Sequence, residues 1–332
     1  MTINSETALA TMMRDPAMIE DVRLFSQVSN WRAASAIVRQ WIIIGATIAA
    51  AIYLHHWAAY AIAIVIVASR QHTLVVLMHD ATHYRLFTNR TANDLISDLF
   101  CAFPQGITTL GYRQEHLPHH GGLNTEDDPY YRMFQQDEVW QFPKSRLPAL
   151  RVFLADLLIW NLPRNLAMWR RWAAFPLWRR HRRDPKLASR CLRDLILSAL
   201  FHATILTALI WLGIWQWYLL LWVLPALTFF MLFVRLRWIS EHTFRPATGQ
   251  VRDTRHVYGT YFERLFVAPL NINYHIAHHL YTSVPFYNLP ALHKRLLVEP
   301  HYAAEARSYG SYFSTRDSVF NELLVRKSPI AP

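Results

Sequence analysis

Two five-residue stretches, HLPHH at 116–120 and HIAHH at 275–279, each carry three histidines at the spacing i, i+3, i+4. HDATH adds His79 and His83 at i, i+4, and SEH adds His242. On a helix these spacings put the rings on one face, so each group can aim several imidazoles at one point. Histidine is 17 of 332 residues, too sparse for composition alone to give the HxxHH pattern twice. Neutral imidazole is a ligand for zinc, copper, iron and nickel. The nine rings of His79, His83, His116, His119, His120, His242, His275, His278 and His279 are too many for one ion and about right for two. A structural zinc takes about four ligands and normally includes cysteine. Two metals with almost no thiolate or carboxylate point to redox chemistry rather than hydrolysis. Zinc cannot change oxidation state, so a site that activates dioxygen would need iron, although spacing alone does not name the element.

Three carboxylates adjoin these histidines: Asp80, Glu115 and Glu241. Each is a candidate acceptor that fixes an imidazole tautomer, or else a helix-end charge with no such role. Asn271, four residues before His275, is a candidate polar neighbour. The other eight histidines match no box and read as non-ligands: His55, His56, His72, His181, His202, His256, His293 and His301, with His72 and His256 the first to reconsider. A haem bundle would set single histidines in facing pairs near mid-helix, and a metal transporter would place ligands inside the spans. Neither pattern matches grouped histidines beyond helix ends.

The elements that position the boxes are apolar runs. They fall at about 37–54, 57–78, 192–212 and 215–234, each near the ~20 residues that cross a hydrocarbon core. His55-His56 joins the first pair and Gly213-Ile214 the second, so each pair is expected to form a transmembrane hairpin. Lys and Arg lie in 1–39, 70–193 and 235–332, which places those regions and both termini in the cytoplasm by the positive-inside rule. Arg39 and Arg70 are expected to snorkel from helix ends, and Asp194 and His202 to face protein or a cavity. All nine boxed histidines then lie on the cytosolic side. The expected fold is all-α and integral to the membrane: four transmembrane helices capped by a cytosolic helical region, 79–190 and 235–332, that holds a dimetal site. Segments 94–112 and 147–166 suit helices lying in the interface. Pro118 disturbs a simple helix through the second box, and Gly121-Gly122 is expected to end it.

Composition agrees. Hydrophobic residues are 53%, with 13 Trp, 15 Tyr and 18 Phe, while the formal charge is +11. No GxGxxG or GxxxxGK[ST] loop is present, and Cys101 and Cys191 stand without a CxxC, which argues against nucleotide binding, a disulfide framework and a thiolate iron cluster. WRRWAAFPLWRRHRRD at 169–184 interleaves arginine with tryptophan, as a segment pinned to anionic headgroups would. A sharper reading is a dock for an acidic electron-donor protein, and nucleic acid is not expected. The N-terminal thirty residues do not read as a secretory signal, nor the closing RKSPIAP as a retention or prenylation signal. No internal repeat beyond the doubled hairpin is visible, so residues 1–332 are expected to form one domain.

The order of boxes resembles the integral-membrane fatty acid desaturase family, which includes related hydroxylases, ketolases and oxidative decarboxylases. The resemblance runs from about Gln71 to Leu292 and includes the flanks NTEDDP and SVPFYNLPALH. It implies two iron ions held by His79, His83, His116, His119, His120, His275, His278 and His279, with His242 as the family's additional histidine. It also implies dioxygen as co-substrate, electrons from a separate ferredoxin or small haem cytochrome, and removal of two hydrogens from an alkyl chain. The implied function is a lipid desaturase. The alternatives are a hydroxylase or oxidative decarboxylase of a fatty acid or small specialised metabolite, and more remotely a non-enzymatic membrane metal-binding protein. The first box has three intervening residues, as in acyl-lipid and bacterial members. Trp238 stands where the stearoyl-CoA type has an asparagine, four residues before His242. A bacterial inner membrane fits the compact chain.

Overall fold

A computed structural model describes residues 5–314 and 316–325; the closing segment 326–332 lies outside them. The chain is mostly helical. The elements that matter here are α1 (Asn30–Leu54), α2 (Trp57–Thr82), α3 (Thr109–Gly121), α4 (Pro129–Gln135), α5 (Ala188–Trp211), α6 (Phe229–Glu241), α7 (His275–Leu280) and α8 (Leu289–Leu296). Among the described residues four helices are long and apolar enough to cross a membrane: α1, α2, α5 and the run Trp215–Glu241 that ends in α6. The chain divides into two compact units, one of residues 29–114 and 153–234, the other of 1–28, 115–152 and 235–332.

The first unit contains α1, α2 and α5. A two-residue joint links α1 to α2, and its histidines do structural work. His55 adopts the left-handed conformation that ends a helix, with φ 44°, and its Nδ1 is hydrogen-bonded to the Tyr60 hydroxyl. His56 caps α2, its Nδ1 accepting from the Ala58 N–H at 3.2 Å. α2 packs against α1 and against residues 219–227. Its apolar window is 72% buried, against 6% for α5, so α2 is the inner helix and α5 the outer one. That difference explains why α2 tolerates Arg70, Gln71 and His72. Polar groups in an apolar setting must find protein partners.

Arg70 therefore does not snorkel. It is buried, donating to Gln40 Oε1 at 3.0 Å and Ser69 Oγ at 2.7 Å. Gln71 donates to the Trp222 carbonyl. Asp194 is buried on α5 and paired with Arg193 at 2.7 Å, while His202 is exposed beside a hollow that Ile205, Leu209 and Trp215 also line. Segment 94–112 is not one surface-lying helix. It is broken by a π turn at Asp98–Ala102, and its polar side chains are buried and paired. Arg113 grips Asp94 through two nitrogens, at 2.6 and 3.0 Å, and Arg190 joins from α5. Cys101 and Cys191 are buried free thiols.

The second unit carries α4, α7, α8 and two small parallel sheets. β1 (Lys144–Ser145) pairs with β4 (Leu324–Val325), and β2 (His256–Val257) with β3 (Ser308–Tyr309). Its core includes Met18, Leu289, Leu292 and Leu296, and α7 adds Ile276, Ala277 and Leu280. One side of that short helix is thus spent on packing, which fixes where its histidines point.

Candidate metal centre

Box two rides on α3, whose helix runs through Pro118 and ends at Gly121. Box three is α7 itself, and all three of its histidines are buried. His242 follows the last residue of α6. Within the second unit these elements bring seven imidazoles together: His116, His119, His120, His242, His275, His278 and His279. All seven are less than 9% exposed.

The nitrogen spacings are those of shared ligation. Nε2 atoms of His116 and His120 lie 3.0 Å apart, those of His120 and His278 3.2 Å, and those of His242 and His275 2.9 Å. Zinc–imidazole bonds are ~2.0–2.1 Å, so two imidazoles on one ion put their nitrogens roughly 3 Å apart. Ligand atoms of His119, His242 and His279 form a further group within 4.8 Å of one another. Both ring nitrogens of His279, and Nδ1 of His242, are buried without a hydrogen bond among the described residues. Burying such groups is costly unless something else satisfies them. Burial first, and then neighbouring imidazoles, push the proton affinities of His242 and His279 well below the ordinary histidine value. The rings are therefore held neutral, the form a metal requires. By donor chemistry, spacing and unsatisfied nitrogens, this set fits a metal.

His79 and His83 lie in the first unit, at the end of α2, with ring centroids 5.2 Å apart. Asp80 stands 3.6 Å from His79 Nδ1, too far for a direct hydrogen bond. In the second unit Glu241 pairs with Arg237 at 3.2 Å and stands 3.8 Å from His275 Nδ1. Glu115 is buried on α3. Asn271 takes a left-handed turn before α7, with φ 60°, and its amide donates to the Phe286 carbonyl. The helix-spacing argument fails there because α7 begins only at His275.

Sequence reasoning missed Asp128. Its Oδ2 is 2.9 Å from His119 Nδ1 and accepts from the Asn124 N–H at 3.0 Å. Its Oδ1 caps α4 by accepting from the Tyr130 N–H at 2.8 Å. A buried carboxylate there holds the proton on Nδ1 and leaves Nε2 as the donor atom. The Asp-Pro step at 128–129 is a helix-start signal, but nothing in the sequence pairs it with His119. Trp238 is buried. It stacks on Tyr130 at 5.3 Å and packs against Phe134 and Trp140, and Tyr130 in turn lies 4.9 Å from His119. Position 238 in this chain thus belongs to an aromatic wall.

His256, read from the sequence as a non-ligand, packs away from the grouped donors. It is buried against His293 and Tyr274, with Nδ1 bonded to the Asn273 carbonyl. His293 links the Tyr258 and Tyr302 hydroxyls. These two rings pack the second unit and are not among its grouped metal donors.

Boxed histidines grouped in this way, on a helical chain with four membrane-capable helices, are the donor set and scaffold that a membrane metalloenzyme would need. The chain belongs to the fatty acid desaturase family, whose profile matches residues 55–311. It is 27% identical to dihydrorhizobitoxine desaturase of Bradyrhizobium elkanii over 292 residues, covering 86% of this chain and 80% of that protein. It is 26% identical to the sn-1 oleoyl-lipid 12-desaturase of Anabaena variabilis, over 64% of this chain and 62% of that one. A Delta(5) fatty acid desaturase of Caenorhabditis elegans matches at 33%, over 24% of this chain and 17% of that protein.

Proposed function

We propose that this protein is a membrane-bound, dioxygen-dependent desaturase of a fatty acyl or related apolar chain, with two irons held by His79, His83, His116, His119, His120, His242, His275, His278 and His279. The observation that carries the reading is the set of buried Nε2 pairs 2.9–3.2 Å apart in the second unit. His79 and His83 enter by their match to the family's first box. When bound, the irons supply dioxygen activation with two electrons from a separate donor. The balance is –CH2–CH2– + O2 + 2e⁻ + 2H⁺ → –CH=CH– + 2H2O.

The protein's own residues supply order and dryness. Burial and neighbouring imidazoles disfavour the protonated form of His242 and His279. Asp128 fixes the His119 tautomer, and Glu241 beside His275 and Asp80 beside His79 are candidates for the same work. Tyr130, Phe134, Trp140 and Trp238 form a dry wall.

The four apolar helices are read as two transmembrane hairpins, with both termini and the histidines on the cytoplasmic face of a bacterial inner membrane. The basic distribution supports this orientation. The Arg- and Trp-rich segment 169–184 offers a face for lipid headgroups and for an acidic ferredoxin or small haem cytochrome. We read both units as parts of one functional domain, since the boundaries at 114/115 and 234/235 fall inside α3 and Trp215–Glu241.

One relative is named for dihydrorhizobitoxine and two for fatty acids or lipids. A small specialised metabolite therefore stays as the second substrate class, and hydroxylation or oxidative decarboxylation as the second outcome on the same ligands. Lipid profiling by mass spectrometry of a host expressing the chain tests the reading. A product 2 Da lighter than its precursor supports desaturation. A hydroxylated lipid or a shortened terminal alkene instead overturns it in favour of the second outcome, and unchanged lipids point to the metabolite class.

A further inference from the structure

The end of α6 leaves its last carbonyls without helical partners, and His242 sits at that point. A single residue from a later loop takes two of them and the His242 carbonyl as well. Arg255 donates from Nη1 to the His242 carbonyl at 2.6 Å and to the Ile239 carbonyl at 3.3 Å. Its backbone N–H donates to the Glu241 carbonyl at 2.9 Å. The backbone on either side of the His242 side chain is thus tied to one guanidinium and its own amide.

That guanidinium is 3% exposed, and a buried cation needs a fixed counter-charge. Glu322 provides it, with Oε1 2.8 Å from Arg255 Nη2. The second oxygen takes Arg307 Nη2 at 2.6 Å and the Tyr309 hydroxyl. Burial pushes the Glu322 carboxyl up, but the Arg255 hydrogen bond and charge, Tyr309 and Arg307 outweigh it and hold the group at about 2. Glu322 lies on the short helix Val319–Leu323, beyond the family match that ends at 311. The C-terminal segment is held in place by β3 on β2 and by Glu263, which accepts from Ser311, Tyr312 and Phe313.

We propose that Arg255 and Glu322 are positioning residues for the metal centre: the C-terminal segment of this chain, through Glu322 and then Arg255, sets the backbone that aims His242 at its metal. The proposal rests on His242 being a metal ligand. Among the described residues Glu322 bonds Arg255, Arg307 and Tyr309, and of these Arg255 is the one that reaches the His242 carbonyl. The effect of Glu322 belongs to metal retention before turnover begins.

The test is cobalt(II) titration of the purified, metal-free full-length protein in detergent, read by visible absorption and equilibrium dialysis. Melting temperature of the metal-free protein is followed in parallel. Glu322→Gln keeps the shape and removes the charge. It is expected to weaken retention of one cobalt by about 10-fold, within the range seen for groups that orient ligands, at temperatures well below its melting transition, which itself falls because the buried Arg255 loses its counter-charge. Glu322→Asp should recover part of the loss. The charge swap Arg255→Glu with Glu322→Arg restores an ion pair but puts no donor at the His242 carbonyl, so it should not recover cobalt binding. Normal cobalt binding by Glu322→Gln, or recovery by the swap, overturns the proposal and leaves the histidine ligands standing. Cobalt loss confined to temperatures at the melting transition also overturns it. If the unaltered protein binds no cobalt, the underlying metal reading fails instead.

Discussion

His119 Nδ1 and the Asp128 carboxylate meet at 2.9 Å, both essentially sealed from solvent, at 1% and 0% exposure. The same carboxylate starts α4. Orientation of a ligand and initiation of a helix are therefore coupled in one side chain, and the two roles can be separated by substitution. Asp128→Asn can still accept from the Tyr130 N–H but loses the charge beside His119. It is expected to reduce metal affinity by about 10–100-fold. Asp128→Ala should show that loss plus about 1 kcal/mol of destabilisation from the missing cap. Metal titration and urea unfolding of both variants check this.

Removing a ligand should differ in kind from removing a packing or surface histidine. His119→Ala and His278→Ala are expected to abolish product and lower bound iron. His301→Ala, at an exposed position, should leave both unchanged. Iron content and product yield measured on the same preparations decide it. Full turnover by His119→Ala or His278→Ala removes that residue from the ligand set.

Acid should weaken the second unit even without metal. Burial lowers His256 to about 3, and burial lowers His293 to about 4. An unfolded histidine titrates near 6.5. Below that value the unfolded chain takes up protons that the folded unit does not, so stability falls as pH drops from about 6.5 toward 3 to 4. Thermal unfolding of metal-free protein across that range should show a steady decline. In His293→Gln the slope should be shallower.

Gly111, two turns before His119 on α3, is a steric requirement. A Cβ there would stand 2.4 Å from the Trp172 carbonyl oxygen, which is backbone and cannot swing aside. Gly111→Ala is expected to cost roughly 1–3 kcal/mol as overpacking. A Cβ at Gly45 meets nothing within 4 Å, so Gly45→Ala is the matched control. Comparison of their melting temperatures checks the contrast.

The boxes and the apolar runs were legible in the sequence because each rests on a local period. Helical spacing predicts the grouping of His116, His119 and His120, and hydropathy predicts four spans. The spans themselves are longer, α2 reaching Thr82 rather than 78 and the fourth reaching Glu241 rather than 234. Polar residues inside the runs, Arg70 and Gln71 among them, have partners far along the chain, Gln40 and the Trp222 carbonyl. No local pattern records such pairs. Asp128 and Glu322 escaped for the same reason. A carboxylate nine residues from His119, or 67 from Arg255, becomes its partner only through the path of a loop. Asn271 shows the converse, since an i, i+4 argument is valid only inside a helix and α7 had not yet begun.

The most direct test is metal stoichiometry. The full-length protein, purified in detergent after growth in iron-supplied medium, is analysed by inductively coupled plasma mass spectrometry. About two irons per chain are expected, falling in His278→Ala, in keeping with imidazole donors suited to a redox metal. Zinc in place of iron, no stoichiometric metal, or the same iron content in His278→Ala would contradict a histidine-held pair of irons.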